Sequence, residues 1–144
     1  MRSLLDVNVL IALFDMDHVF HDRAHDWLEK NAAQGIATCP LTENGVVRII
    51  SHPKYSASLR LAPWEVIARL SKFCEAQDHE FWPDRVSIRD STIFSQDRIL
   101  GSRQITDVYL LGQAKFHGGR LVTFDEGIAI SAVAGAGVEN LVSI

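Results

Sequence analysis

Two short apolar runs, each closed by an aspartate, constrain this chain more than any other feature. Leu4-Leu5 ends in Asp6, and Leu121-Val122-Thr123-Phe124 ends in Asp125. Neither run is long enough for a helix, and neither alternates apolar with polar residues. Both therefore read as strands buried on two faces. Such strands belong to parallel sheets that helices cover on each side.

The rest of the chain supplies those helices. Residues 3–6 predict the first strand and 8–14 a short, largely buried helix. Residues 20–33 predict a second helix with Ala24, Trp27 and Leu28 on one face, stopped by Gly35. Residues 36–39 predict a second strand closed by Pro40, and 41–50 a third helix. Pro63 opens a fourth helix, at a position that suits proline. Its expected apolar face is Trp64, Ile67, Leu70 and Cys74. Residues 79–82 predict a third strand, closed by Pro83. The segment 84–104 is poorly patterned; Ile93 and Phe94 suggest one apolar helical turn. Residues 106–116 predict a helix that Gly118-Gly119 ends. A strand over 120–124, a short Ala/Gly-rich helix and a last strand over 138–144 follow. Strands alternating with helices define an α/β fold with a central, mostly parallel sheet of four to five strands.

A length of 144 residues is one domain, 1–144, able to bury a core without disulfides. Cys39 and Cys74 sit in apolar surroundings and suit reduced thiols, though a single bridge between them stays open. Asp6 interrupts what would be the apolar stretch of a leader peptide. No run is long enough to cross a membrane, so the cytosol is the expected compartment. The net charge of −4 argues weakly against a protein that coats nucleic acid through bulk charge. A nucleic-acid partner must be held by local basic patches or by metal.

The acids carry the chemistry. In a βαβ unit the helix runs antiparallel to the strands, so its amino terminus lies near their carboxyl edge. Glu43 falls in the first turn of the third helix, and Asp107 in the first turn of the helix over 106–116. Both share the edge that Asp6 and Asp125 occupy, and all four converge if the strand order makes them neighbours. Carboxylates on one rim repel unless a cation joins them. Hard oxygen donors without thiolates suit Mg²⁺ or Mn²⁺. That equipment serves attack of water on a phosphodiester, with a carboxylate free of metal taking the proton. Asn8 and Thr106 flank two of the acids and could orient carboxylates or water.

Each residue also has a plainer reading. Asp6 or Asp125 alone would be a loop or cap residue, and Asp107 a first-turn acid favoured by the helix dipole. Asn8 reads first as a helix cap. His21 and His25 are spaced i, i+4 with His18 nearby, but no third zinc ligand has convincing spacing, so they read as a solvated helix face. Trp27, Trp64 and Trp82 read as core or interface. Arg48, Lys54 and Arg60 surround the loop after the Glu43 helix, and Arg98 and Arg103 precede Asp107. Singly these are surface charge; together they are candidates for a phosphate track.

Five segments together resemble the PIN-domain ribonucleases, in particular the VapC toxins of VapBC toxin–antitoxin systems. They are 4–13 (LLDVNVLIAL), 37–45 (ATCPLTENG), 79–83 (HEFWP), 104–111 (QITDVYLL) and 117–125 (HGGRLVTFD). By this resemblance Asp6 and Asp107 look like metal-binding aspartates and Glu43 like the conserved glutamate. Asp125 looks like a fourth acid whose role varies. The resemblance implies an αβα sandwich, Mg²⁺-dependent endoribonuclease activity on RNA, homodimers and a cognate antitoxin partner. Two other functions compete. A haloacid-dehalogenase-type phosphatase also begins with an Asp after its first strand, but it wants a second Asp where Asn8 stands, and a nearby lysine. A receiver-like or non-catalytic PIN-like binding module would need either a late-strand lysine or a degraded acid set, and neither is present.

Overall fold

The chain forms five short strands, all pairing in parallel: β1 (Ser3–Leu5), β2 (Ile36–Thr38), β3 (His79–Phe81), β4 (Arg120–Thr123) and β5 (Leu141–Ser143). Their spatial order is β3-β2-β1-β4-β5. The computed structural model describes residues 1–144. The chain works outward from β1 to β3, then crosses back to build β4 and β5 on the other side of β1. That reversal puts a crevice between the carboxyl ends of β1 and β4, where open α/β sheets bind ligands.

Strand alternation divides the core in two. Leu5 and Val122 point to one face, under α1 (Val7–Phe14), α2 (His21–Asn31), α3 (Pro40–Ile50) and α4 (Pro63–Glu75). Leu4 and Leu121 point to the other, under α5 (Ile105–Phe116) and the segment around Phe94. Helices thus cover both faces, giving the αβα sandwich with a sheet that is parallel throughout. Gly45 fixes how closely α3 approaches α1, since a Cβ there would lie 2.7 Å from Val7 Cγ2.

Several local expectations need correction or refinement. Ile93 and Phe94 do close one turn, both amides donating to Asp90 O at 3.1 and 2.9 Å, but no helix continues from it. Phe94 instead makes an isolated antiparallel bridge with Val133 and is fully buried, its ring seated against Gly112 of α5. The Ala/Gly-rich stretch shrinks to one 3-10 turn, Ile130–Ala132. On α4 the buried stripe is Val66 and Leu70, while Trp64 (70% exposed) and Ile67 (50%) face outward. Two apolar stripes overlap on that helix, and periodicity alone could not rank them. Asn8 is not the cap of α1, because Asp6 already accepts from Val7 N. Finally, His21 and His25 are not merely solvated. Their rings lie 4.4 Å apart, tilted by 58°, and contact the carbonyls of Ala12 (2.7 Å) and Leu13 (3.2 Å), satisfying orphan acceptors at the end of α1.

Candidate active site

The site grows from the end of β1. Asp6 N donates to Val122 O of β4 at 3.0 Å, so the ladder still holds the backbone where the helix begins. The side chain then turns into the crevice and is 5% exposed. Its Oδ1 accepts from Val7 N at 2.6 Å, and its Oδ2 accepts from the Thr123 hydroxyl at 2.8 Å. Thr123 Oγ1 in turn accepts from Asp125 N at 3.1 Å. One hydroxyl therefore fixes Asp6 and Asp125 relative to each other. Asp125 Oδ1 is held by Gly127 N at 2.7 Å, and its side chain is exposed.

Asp107 enters from the first turn of α5. Burial pushes its carboxyl up to about 6, with the negative charge of Asp6 and a hydrogen bond and charge from Asp125 adding to the rise. Burial also raises Asp6, against the opposing hydrogen bonds from Thr123 and Val7. The charge of Asp125 thus adds to the proton affinity of both Asp6 and Asp107 at the switch point. No basic side chain neutralises them: the chain's two ion pairs both belong to Arg2, at the opposite edge of the sheet.

A cavity of ≈ 520 Å³ opens beside Asp6 and Asp107, lined also by Asn8, Asn44, Arg48 and Thr106. Glu43 stands apart. Its Oε1 accepts from the Thr38 hydroxyl at 2.7 Å. It lines a larger adjoining cavity of ≈ 850 Å³ between α3 and α4, with Cys74 and His79. Asn44 and Arg48 line both cavities, so the two are neighbours. The structure therefore gathers Asp6, Asp107 and Asp125 and sets Glu43 one strand over. The divergence lies in the side chain of Glu43, because Thr38 at the end of β2 holds it toward β3.

Of the basic candidates, Arg48 reaches the crevice. Lys54 and Arg98 are exposed elsewhere, and Arg103 lines a shallow dip with Leu100. Cys39 is buried and Cys74 half-buried, both as free thiols; burial and the Glu43 charge push Cys74 up to about 11. Sequence reading missed Thr123, Thr38 and His79. The signal available for Thr123 was a hydroxyl two residues before Asp125, at the last position of a buried strand.

The donor set suits a hard divalent cation. Asp6 and Asp107 are oxygen donors under mutual repulsion, which a cation between them would relieve. No three His, Cys, Asp or Glu side chains form a ready-made cage. Two carboxylates with water filling the remaining positions is the arrangement Mg²⁺ favours.

Known proteins match this chain closely. Residues 3–135 match the PIN domain family. Over 144 residues, all of both chains, it is 45% identical to ribonuclease VapC44 of Mycobacterium tuberculosis H37Rv. Over 135 residues, 94% of this chain and 96% of the relative, it is 42% identical to ribonuclease VapC39 of the same strain. Among solved structures, VapBC2 from Rickettsia felis, bound to a DNA fragment from its promoter, shares the fold. The TM-score is 0.57 at 16% identity, over 87% of this chain and 89% of that one. The fold is thus that of a PIN-like domain. The chain belongs to the PIN-domain family and, within it, to the VapC type.

Proposed function

We propose that this protein is a metal-dependent endoribonuclease, the toxin of a VapBC-type pair, acting in the cytosol and held in check by a cognate antitoxin. The observation that carries the reading is the group Asp6, Asp107 and Asp125, mutually repelling and without a basic partner. Full-length similarity to VapC ribonucleases supports the substrate class. Asp6 and Asp107 would hold Mg²⁺ or Mn²⁺, with Asp125 adding negative charge beside them. The chemistry a divalent cation would supply there is activation of water and neutralisation of charge at the phosphoryl group. Thr123 keeps Asp6 and Asp125 in register. Asn8 and Thr106, on the walls of the same cavity, orient water and carboxylates. Glu43, outside the three-aspartate group, accepts the proton of the attacking water. Arg48, at the junction of the two cavities, contacts backbone phosphate; Lys54, Arg98 and Arg103 extend the track.

A phosphatase of the haloacid dehalogenase type is disfavoured, because Asn8 lines the cavity where a second acid would be needed and no lysine does. The test is incubation of the purified protein with total RNA. Cleavage should require Mg²⁺ or Mn²⁺ and stop in excess EDTA, while Ca²⁺, with longer bonds, should not support it. Undiminished cleavage in EDTA would sink the reading. In the same preparation, Arg48→Ala should weaken RNA binding and flatten its salt dependence, since each lost phosphate contact removes one released counterion.

The outward stripe of α4 bears on assembly. Trp64 and Ile67 lie on one helical face, three residues apart, and are 70% and 50% exposed. We propose that this face joins two copies in a homodimer. Light scattering should give twice the 16.1 kDa chain mass. Trp64→Glu should shift it to the monomer, and a concentration-independent monomer in the unaltered protein would contradict the proposal.

A further inference from the structure

The carboxylate of Glu43 is held by a chain of donors. Thr38 Oγ1 lies 2.7 Å from Glu43 Oε1 and 2.8 Å from His79 Nε2. A hydroxyl has one proton and two lone pairs. The proton goes to the carboxylate, which has none to give. His79 must then donate from Nε2–H into a Thr38 lone pair. Every hydrogen bond in the row points toward Glu43.

The sheet builds this row. Thr38 is the last residue of β2 and fully buried. His79 opens β3 and pairs with Ile36, two residues earlier along β2, so its ring reaches along the strand to Thr38. Burial lowers the His79 pKa, which keeps the ring neutral near pH 7 and leaves one N–H to place. Its Nε2–H is spent on Thr38. The charge-assisted bond of the row is the next one, from the Thr38 hydroxyl to the Glu43 carboxylate, about twice as strong as a neutral bond.

We propose that Thr38 and His79 are positioning residues for Glu43 in RNA cleavage, holding its carboxylate in one orientation through the row His79 Nε2–H to Thr38 Oγ1–H to Glu43 Oε1. The inference rests on the endoribonuclease reading and on Glu43 as proton acceptor. It gives the α3–α4 cavity a polar wall that belongs to the catalytic apparatus, although none of the three aspartates lines it.

The experiment compares Thr38→Val, Thr38→Ser, His79→Ala and His79→Gln with wild type, on a pool of end-labelled oligoribonucleotides in Mg²⁺. Asp6→Asn serves as the inactive control, and thermal unfolding runs in parallel. Thr38→Val and His79→Ala should lower kcat by roughly 10–100-fold, the cost of a misplaced general base, and leave KM within about twofold. Thr38→Ser and His79→Gln, which restore the hydroxyl and the N–H, should recover most of the rate. The pH profile of His79→Gln should overlay that of wild type, because the row uses a donor and not an ionisation. Thr38→Val added to Glu43→Gln should slow the enzyme no further than Glu43→Gln alone. Wild-type rates in Thr38→Val, losses that multiply in the double variant, or losses that Ser and Gln fail to restore would each overturn the proposal. If wild type cleaves no better than Asp6→Asn, the endoribonuclease reading falls first and takes this inference with it.

Discussion

Asp107→Asn should nearly abolish RNA cleavage, by roughly 10²–10³-fold or more, and should make the metal-free protein more stable. Removing one preorganised charge at a reacting centre costs about that much rate. The stability gain follows from the neighbours of Asp107. Its folded carboxyl is pushed up to about 6 from an ordinary 3.8, first by burial and then by Asp6 and Asp125. The folded protein thus holds that proton more tightly than the unfolded chain does. The stabilising contribution is complete below about pH 4 and is lost as pH rises through 6. Each pH unit between the two values is worth about 1.4 kcal/mol at most. Solvent screening at a half-exposed carboxyl leaves on the order of 1 kcal/mol. Metal-free wild type should therefore lose about that much stability between pH 4 and pH 7, and Asp107→Asn should not.

Asp6→Asn should lose cleavage to the same degree and gain less stability. Its amide keeps one acceptor oxygen for Val7 N but turns a donor toward Thr123 Oγ1, which already accepts from Asp125 N. Relief of a buried charge is offset by a poorer helix cap. In millimolar Mg²⁺ the order of stability should reverse or narrow, because a ligand present at 100 times its Kd adds about 2.7 kcal/mol to the native state only. Thermal unfolding of the three proteins in EDTA and in Mg²⁺, across pH 4 to 7.5, reads all of this. A strong fall in melting temperature for both variants in EDTA would mean that these acids hold the fold together. The shared-site argument would then lose its physical support.

The aspartates at β1 and β4 were legible in the sequence because burial on both faces removes polar residues from a central strand. A carboxylate ending such a run can cap the next helix, as Asp6 does, so the signal lay in two such runs delivering acids to one edge. Asp107 was legible through helix polarity, which needs only the position of the residue in its first turn. The side-chain direction of Glu43 was not. It depends on a hydroxyl from β2 and an imidazole from β3, separated by 41 residues, and no local pattern encodes that meeting. The outward face of α4 was misread for a related reason. Val66 and Leu70 make one apolar stripe and Trp64 and Ile67 another, and only packing against α3 selects between them. The contacts of His21 and His25 were not legible because their partners are main-chain carbonyls of α1, which every residue has.

Phe94→Ala should be the most damaging single truncation outside the site, costing about 3–5 kcal/mol. Phe94 is the largest of the fully buried side chains and lies in a segment with no helix or strand of its own. What holds it is tertiary. Ser95 N donates to Ala132 O at 2.9 Å and Ala134 N to Ile93 O at 2.8 Å, strapping two irregular segments together. The ring between them rests on Gly112, where α5 has no side chain and any Cβ would overlap the phenyl group. For a domain of this length that loss amounts to a fall in melting temperature on the order of 10 °C. Gly112→Ala approaches the same contact from the other side and should cost about 1–3 kcal/mol through overpacking. Phe94→Leu combined with Gly112→Ala should cost less than the sum of the two, because the smaller side chain vacates the space the new methyl needs. The contact also bears on the site. Gly112 and Asp107 are five residues apart on α5, about 7.5 Å along its axis. A ring seated on Gly112 therefore fixes how far α5 stands from the sheet, and with it the approach of Asp107 to Asp6. Urea unfolding of Phe94→Ala, Phe94→Leu, Gly112→Ala and the double variant measures the costs, and RNA cleavage well below the transition measures the effect on Asp107. If Phe94→Ala costs under about 1 kcal/mol, the 93–95 strap is peripheral and α5 is set by other contacts.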